Sequence, residues 1–204
     1  AAVKAESDVC CTSANAPSII SGIAGNGPII FVPDRNLGAW ASQITGKKLL
    51  LSNGYCPTHQ RILPDFIQKA RAVHPDALVL AHPECPEPVR LLADHIASTS
   101  GMLSFCRKSN HRKFIIATEI GLLHRLRTEN PDKIFLEASP HMICPNMKLT
   151  SIEKILWCLE DLSGEVVVAE ATACRARRAI ERMFSMTAAS GPAQAEKNRT
   201  GVTE

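Results

Sequence analysis

The chain has 204 residues, 45% apolar and 21% charged, with 23 Lys and Arg against 20 Asp and Glu for a formal charge of +3. That balance excludes an intrinsically disordered chain, which is poorer in apolar residues, and a polybasic nucleic-acid binder, whose field would be far stronger. No apolar stretch approaches the roughly 18 residues needed to cross a bilayer, so a membrane span is excluded as well. The chain opens Ala1-Ala2-Val3-Lys4, without Met or a signal pattern, and reads as an interior segment of a longer protein. Strands are predicted over Pro28–Pro33 and Lys48–Ser52, then a helix over Leu63–Val73 and a strand over Ala77–Ala81. A helix over Pro88–His95, a strand over Phe114–Ala117, a helix over Ile120–Glu129 and a strand over Lys133–Glu137 follow. Thr150 and Glu153 form a capping box ahead of a helix over Ser151–Leu162. A strand over Glu165–Ala169 and a helix over Cys174–Met183 come last, and Thr187–Glu204 reads as a disordered tail. The strand runs are unbroken and aliphatic, as expected where both faces are covered. Strand–helix alternation predicts an α/β class, with parallel sheets packed between helices.

Eight cysteines are present, at 10, 11, 56, 85, 106, 144, 158 and 174. The chain is too long and too aliphatic for a disulfide-stapled scaffold, so reduced thiols, most of them small buried side chains, are expected. A long internal repeat distinguishes two of them. Thr12-Ser13 recurs as Thr99-Ser100, Ile29–Asp34 as Phe114–Glu119, and Cys56-Pro57 as Cys144-Pro145, at offsets of about 85–88 residues. After the strand over 77–81 comes His82-Pro83-Glu84, and Glu170 closes the corresponding run. Repeated features just beyond strand ends point to one shared crevice, where ligands of such sheets bind. Asp34 and Glu119 are read as packing residues. Cys10 and Cys11 are read as buried thiols because the repeat partner of Cys11 is Ser98.

A Cys-Pro step is common around iron–sulfur clusters but not specific to them. Cys56 and His59 also have the spacing of a zinc half-site, with no second pair following. If each repeat lends one cysteine, a third falls upstream of Ala1. Three thiolates on a four-iron cluster leave one iron open as a Lewis acid.

Seven blocks carry a more specific resemblance: VCCTSANA (Val9–Ala16), FVPDRNLG (Phe31–Gly38), NGYCPTH (Asn53–His59), AHPEC (Ala81–Cys85), ASTSGM (Ala97–Met102), FIIATEIG (Phe114–Gly121) and CPNMKLTSIEK (Cys144–Lys154). In this order and spacing they resemble the quinolinate synthases, iron–sulfur enzymes of de novo NAD biosynthesis. The resemblance implies three similar αβα domains in pseudo-threefold arrangement. Residues 1–56 would form most of the second domain, 57–144 the third, and 145–186 a segment returning to a first domain absent here. It also implies condensation of iminoaspartate with dihydroxyacetone phosphate, with loss of phosphate and water, in the cytoplasm. Functional coupling to L-aspartate oxidase or aspartate dehydrogenase is implied by the same route; nucleic-acid and membrane partners are not. A [4Fe-4S] cluster is implied, held by Cys56, Cys144 and a third cysteine in the missing domain. Ser13, His82, Pro83, Glu84 and Thr99 map to substrate contacts, with Glu84, His82 and His59 as catalytic residues. Glu84 is read as the acid or base for proton transfers. His82 is read as a donor to a carboxylate or phosphate, and Ser13 and Thr99 as carboxylate binders that also serve as helix caps.

Two departures from the family pattern stand out: the chain lacks the Tyr-x-Asn block, and Ala97 replaces a usual glycine, which matters if the backbone there needs positive φ. The chain alone is expected to be inactive. Two competing readings are a non-catalytic α/β dicarboxylate-binding fragment without a cluster, and a zinc protein using Cys56, His59 and Cys144.

Overall fold

The computed structural model describes residues 1–25 and 27–189. In chain order the elements are α1 (Ala2–Ala5), α2 (Ala16–Gly22), β1 (Ile29–Phe31), α3 (Arg35–Thr45), β2 (Leu49–Leu51), α4 (Pro57–Gln60), α5 (Pro64–Val73) and β3 (Leu78–Ala81). There follow α6 (Glu87–Arg90), β4 (His95–Ile96), α7 (Thr99–Lys108), β5 (Lys113–Ala117), α8 (Gly121–Glu129) and β6 (Ile134–Glu137). A 3₁₀ turn (Met147–Leu149), α9 (Ile152–Asp161) and α10 (Glu170–Ala189) complete the described residues. The described residues divide into two units, one of Ala1–Cys10 with Cys144–Ser185, the other of Cys11–Ile143 with the last four, 186–189.

The larger unit has the predicted α/β class. Its four-stranded sheet runs β4-β3-β5-β6 and is parallel throughout. Side chains alternate between faces along a strand, and here both faces are covered. Val79, Ala81, Ile115 and Ala117 pack with Ile62, Ile67 and Met142 on one side. Leu80, Phe114 and Ile116 pack with Met102, Leu103, Leu123 and Leu126 on the other. Double coverage is why these runs show no polar alternation.

The two-stranded parallel sheet β1-β2 behaves differently. Phe31 and Leu49 face α2 and α3 with Trp40 and Ala41. Ile30 and Leu50 are register partners and are 73% and 51% exposed. The expectation of two covered faces therefore fails for this pair of strands. Helix α3 lies so close to them that a Cβ on Gly38 would stand 2.6 Å from Leu51 Cδ2 and 2.7 Å from Phe31 Cδ1.

Several local expectations need correction. The helix expected over 88–95 ends at Arg90, because Asp94 joins the sheet edge. Its amide donates to Val79 O at 2.8 Å and its carboxylate accepts from Val79 N at 2.7 Å, which leads the chain into β4. In the smaller unit, Glu165–Ala169 is not a strand. Val166 and Val167 are 83% and 82% exposed, and no described strand pairs with them. A strand without a neighbour has nowhere to place its backbone donors and acceptors. Helix α9 is capped by Ser151 rather than Thr150: its hydroxyl accepts from Lys154 N at 3.4 Å. Helix α10 runs to Ala189, so the first three residues of the expected tail are helical; residues 190–204 lie outside the described residues. Cys10 N donates to Ala179 O at 3.0 Å and Arg175 pairs with Glu6 at 2.8 Å, which ties the two parts of the smaller unit together.

The cysteines also part from expectation. Cys85 and Cys106 are buried, Cys10 and Cys11 are half-exposed, and Cys158 and Cys174 are exposed; none of the eight forms a disulfide among the described residues. Cys158 is exposed because α9 buries none of its residues. Leu162 is the one non-glycine described residue with positive φ, so Ala97 sits in ordinary backbone and its replacement of glycine carries no strain.

Candidate functional site

Parallel strands end on one side of their sheet, and the chain beyond those ends carries Cys56, His59, His82, Pro83, Glu84 and Thr99, while Ser13 lies just before α2. Beyond β1, Asp34 is buried and uses both carboxylate oxygens. Oδ1 accepts from Leu37 N at 2.8 Å, capping α3, and Oδ2 accepts from Cys56 N at 2.8 Å. Cys56 is thereby fixed as the residue that starts α4. One turn of helix then places His59 on the same face as Cys56.

Beyond β3, the His82-Pro83-Glu84-Cys85 turn is stapled to β5. His82 N donates to Ala117 O at 3.0 Å, and the Cys85 thiol donates to the same oxygen at 3.3 Å. Within the turn, Glu84 N donates to His82 Nδ1 at 3.3 Å. Nδ1 is thus the acceptor nitrogen, and Nε2–H of the neutral ring faces Ser13 Oγ at 3.2 Å. Burial disfavours the charged ring, and the neighbouring His59 adds to this, holding the His82 pKa down at about 4.

The rings of His59 and His82 stack with centroids 4.5 Å apart and planes 13° from parallel. His59 Nε2 meets Thr118 Oγ1, just beyond β5, at 2.9 Å. Its Nδ1 stands 3.1 Å from Glu84 Oε2, but off the line a hydrogen bond needs, so this buried nitrogen has no hydrogen-bond partner. Burial opposes charge on His59 too, yet the Cys56 and Glu84 side chains outweigh it and lift its pKa to about 9. In return His59 lowers the pKa of both the Cys56 thiol and the Glu84 carboxyl. The result is two stacked imidazoles of opposite habit, one neutral and one charged, beside a thiol shifted toward thiolate and a carboxylate.

The contacts among the described residues bring together Ser13, Cys56, His59, His82 and Glu84, and do not include Thr99. Thr99 is exposed at the start of α7, whose cap is its neighbour Ser98, accepting from Gly101 N at 3.2 Å. Pro83 is buried and contributes its carbonyl to Arg90. Cys144 is half-buried and belongs to the smaller unit. Sequence reasoning missed Thr118, Asn36 and Arg90. Asn36 Nδ2 donates to Gln60 Oε1 and to Glu84 O, each at 3.1 Å. Arg90 Nη1 donates to the carbonyls of Asn36 (2.6 Å), Pro83 (3.1 Å) and Cys85 (3.3 Å). Asn36 and Thr118 both lie within the resembling blocks, FVPDRNLG and FIIATEIG; Arg90 had no signal beyond being a charged residue in a helical stretch.

The fold and this site define an α/β protein whose parallel strands lead to a thiol–imidazole–carboxylate group suited to proton transfer and metal ligation. The family model of the quinolinate synthetase A protein matches residues 1–185. The quinolinate synthases of Geobacter sp. (strain M21) and Geotalea uraniireducens (strain Rf4) are 49% and 50% identical over 186 residues, covering 91% of this chain. That of Thermodesulfovibrio yellowstonii is 48% identical over 187 residues. The chain spans 61% of the length of each of these relatives. It belongs to the quinolinate synthetase A protein family. No helix among the described residues is long and apolar enough to cross a membrane.

Proposed function

We propose that this chain forms part of a quinolinate synthase that condenses iminoaspartate with dihydroxyacetone phosphate, releasing phosphate and water, in NAD biosynthesis. The observation that carries the reading is the convergence of Cys56, His59, His82 and Glu84 at strand ends in a chain of this family. An enzyme that generates iminoaspartate, such as L-aspartate oxidase or aspartate dehydrogenase, would supply it in the cytoplasm. The chain by itself, at 61% of its relatives' length, would be inactive.

The donor chemistry fits a [4Fe-4S] cluster. Cys56 is half-exposed and its thiol is shifted toward thiolate by His59, the form iron binds. Cys144 is likewise neither sealed in the core nor fully exposed. Cys85 and Cys106 are sealed in the core, where burial pushes both thiols up to about 12, so they are unsuited. Cys56 and Cys144 would be the ligands from this chain. When bound, such a cluster with one open iron supplies a Lewis acid.

The remaining chemistry belongs to side chains. Glu84, ionised and partly exposed, takes protons as general base, and a charged His59 beside it can return them. His82 keeps Nε2–H as a donor toward a substrate carboxylate or phosphate, with Ser13 Oγ sharing that role. Thr99, exposed at the start of α7, would contact substrate from its own side.

The test is quinolinate formation by the whole protein after anaerobic cluster loading, with iron and sulfide analysis alongside. Cys56→Ala and Cys144→Ala should lose both brown colour and activity, whereas Cys106→Ala should keep both. Glu84→Gln should keep iron and sulfide while losing turnover. A loaded protein that makes no quinolinate, or a Cys106→Ala variant that loses its cluster, rejects the reading.

A further inference from the structure

The two sheets of the larger unit share a hydrogen-bond pattern that follows the internal repeat. β1 pairs in parallel with β2, and β5 with β6. Just past the second strand of each pair, Ser52 N donates to Phe31 O at 3.1 Å and Ala138 N donates to Ile116 O at 3.2 Å. Next to the acid that follows the first strand, Arg35 N donates to Gly54 O and Ile120 N donates to Met142 O, both at 2.8 Å. Gly54 stands two residues before Cys56, and Met142 two residues before Cys144.

The acids themselves correspond. Asp34 and Glu119 are 7% and 8% exposed. Asp34 Oδ1 accepts from Leu37 N at 2.8 Å, and Glu119 Oε2 accepts from Gly121 N at 2.7 Å. Glu119 sits one residue further back from its helix than Asp34, and its extra methylene spans the difference. A buried carboxylate is costly unless donors satisfy it, and the proton transfers assigned to Glu84 and His59 leave Glu119 without a chemical role. Its bond to Gly121 N fixes the peptide that aims Ile120 N at Met142 O. Met142 is itself fully buried, packed with Val79, Ile115 and Ala138. The chain leading to Cys144 is therefore held by both the backbone and the side chain of Met142.

We propose that Glu119 is the positioning residue of Cys144, holding the chain that delivers this thiol as Asp34 holds the chain that delivers Cys56. Each repeat then carries its own acid and its own thiol, and the acid presets the loop in the metal-free chain. A preset loop has less conformational entropy to lose when its thiol takes up a ligand. The role of Cys144 as an iron ligand rests on the function proposed above; the hold of Glu119 on its loop does not.

The test is amide hydrogen exchange and thiol alkylation of the reduced 204-residue chain, compared across the repeat. Glu119→Ala should speed exchange at the Ile120 amide by about 10-fold or more. It should also speed alkylation of Cys144 by iodoacetamide, while Arg35 exchange and Cys56 alkylation stay unchanged. Asp34→Ala should do the reverse. Glu119→Gln keeps one oxygen acceptor, so it should fall between the parent and Glu119→Ala, and it serves if the alanine variant does not fold. General loosening would accelerate both repeats together. Equal acceleration at Cys56 and Cys144, or no change at Ile120 and Cys144 in either Glu119 variant, therefore overturns the proposal. Anaerobic loading of the unaltered whole protein separates the two claims: no iron uptake rejects the functional reading, whereas the crossed pattern, measured without metal, decides the role of Glu119.

Discussion

Asp34 Oδ2 accepts the backbone amide of Cys56 at 2.8 Å, while its Oδ1 caps α3 through Leu37 N. One buried carboxylate thus joins a helix start to the loop that carries the site thiol. Both bonds are charge-assisted, and loss of a cap costs about 1 kcal/mol before the second bond is counted. Asp34→Ala should lower stability by about 2–3 kcal/mol, and Asp34→Asn by less. Urea unfolding measures this, and alkylation of Cys56 in the folded chain should be faster in Asp34→Ala. An unchanged urea midpoint together with unchanged alkylation would refute the role.

The two stacked histidines pull stability in opposite pH directions. His82 has a folded pKa near 4 against 6.5 for the free side chain, so its contribution is complete above pH 6.5 and is lost as pH falls toward 4. Its full extent is about 3 kcal/mol. His59 has a folded pKa near 9, so its contribution is complete below pH 6.5 and is lost as pH rises toward 9. The pair is therefore most stabilising near pH 6.5. Denaturant titrations from about pH 4 to 9 should show that His82→Asn flattens the acidic limb and leaves the alkaline one. Equal slopes in both proteins on the acidic side would contradict the assignment.

Gly54 lets the Cys56 loop pass over β1. A Cβ there would stand 2.2 Å from Pro33 O, a backbone atom that cannot swing aside, while Gly54 O accepts from Arg35 N at 2.8 Å. Gly54→Ala should cost about 2 kcal/mol or more and should raise Cys56 alkylation. Gly27, with nothing within 4 Å of its Cβ position, is the control, and Gly27→Ala should be near neutral. Thermal unfolding of the two variants decides the matter: equal midpoints mean the loop has room to move.

How much of this was legible follows from which signals are local. The doubly covered strands β3 and β5 show as unbroken aliphatic runs because both faces are buried. The same pattern misleads at Glu165–Ala169, because an apolar run cannot reveal whether a neighbouring strand exists to pair with it. Asp34 and Glu119 were visible as a repeated pair, and the two carboxylates do act alike. Each accepts an amide of the helix that follows, from Leu37 and Gly121 respectively. The repeat did not reveal the second bond from Asp34 to Cys56, since tertiary proximity has no sequence period. Cys56 was marked by the internal repeat, whereas His59, His82 and Glu84 were marked by the family resemblance, their spacing alone being unspecific. Thr118 was not, because a threonine beyond a strand becomes informative only once His59 is known to lean on it.

Arg90 shows most clearly what sequence conceals. It is 4% exposed, and its Nη1 donates to three carbonyls, from Asn36, Pro83 and Cys85, drawing the start of α3 against the turn that holds Glu84. A buried cation held by carbonyl dipoles is costly to keep and costlier to remove, because deletion takes a charged donor from three carbonyls at once. Arg90→Met, close in length and apolar, should destabilise by about 2–4 kcal/mol. Arg90→Lys should recover only part, since a single ammonium at the end of a shorter reach cannot reproduce the planar guanidinium. The displaced turn should also disturb the His59–Glu84 contact, so the pH dependence assigned to His59 between 6.5 and about 9 should weaken in Arg90→Met. A variant within about 0.5 kcal/mol of the parent, with that alkaline limb intact, would show that the three carbonyls find other donors and that the turn does not depend on Arg90.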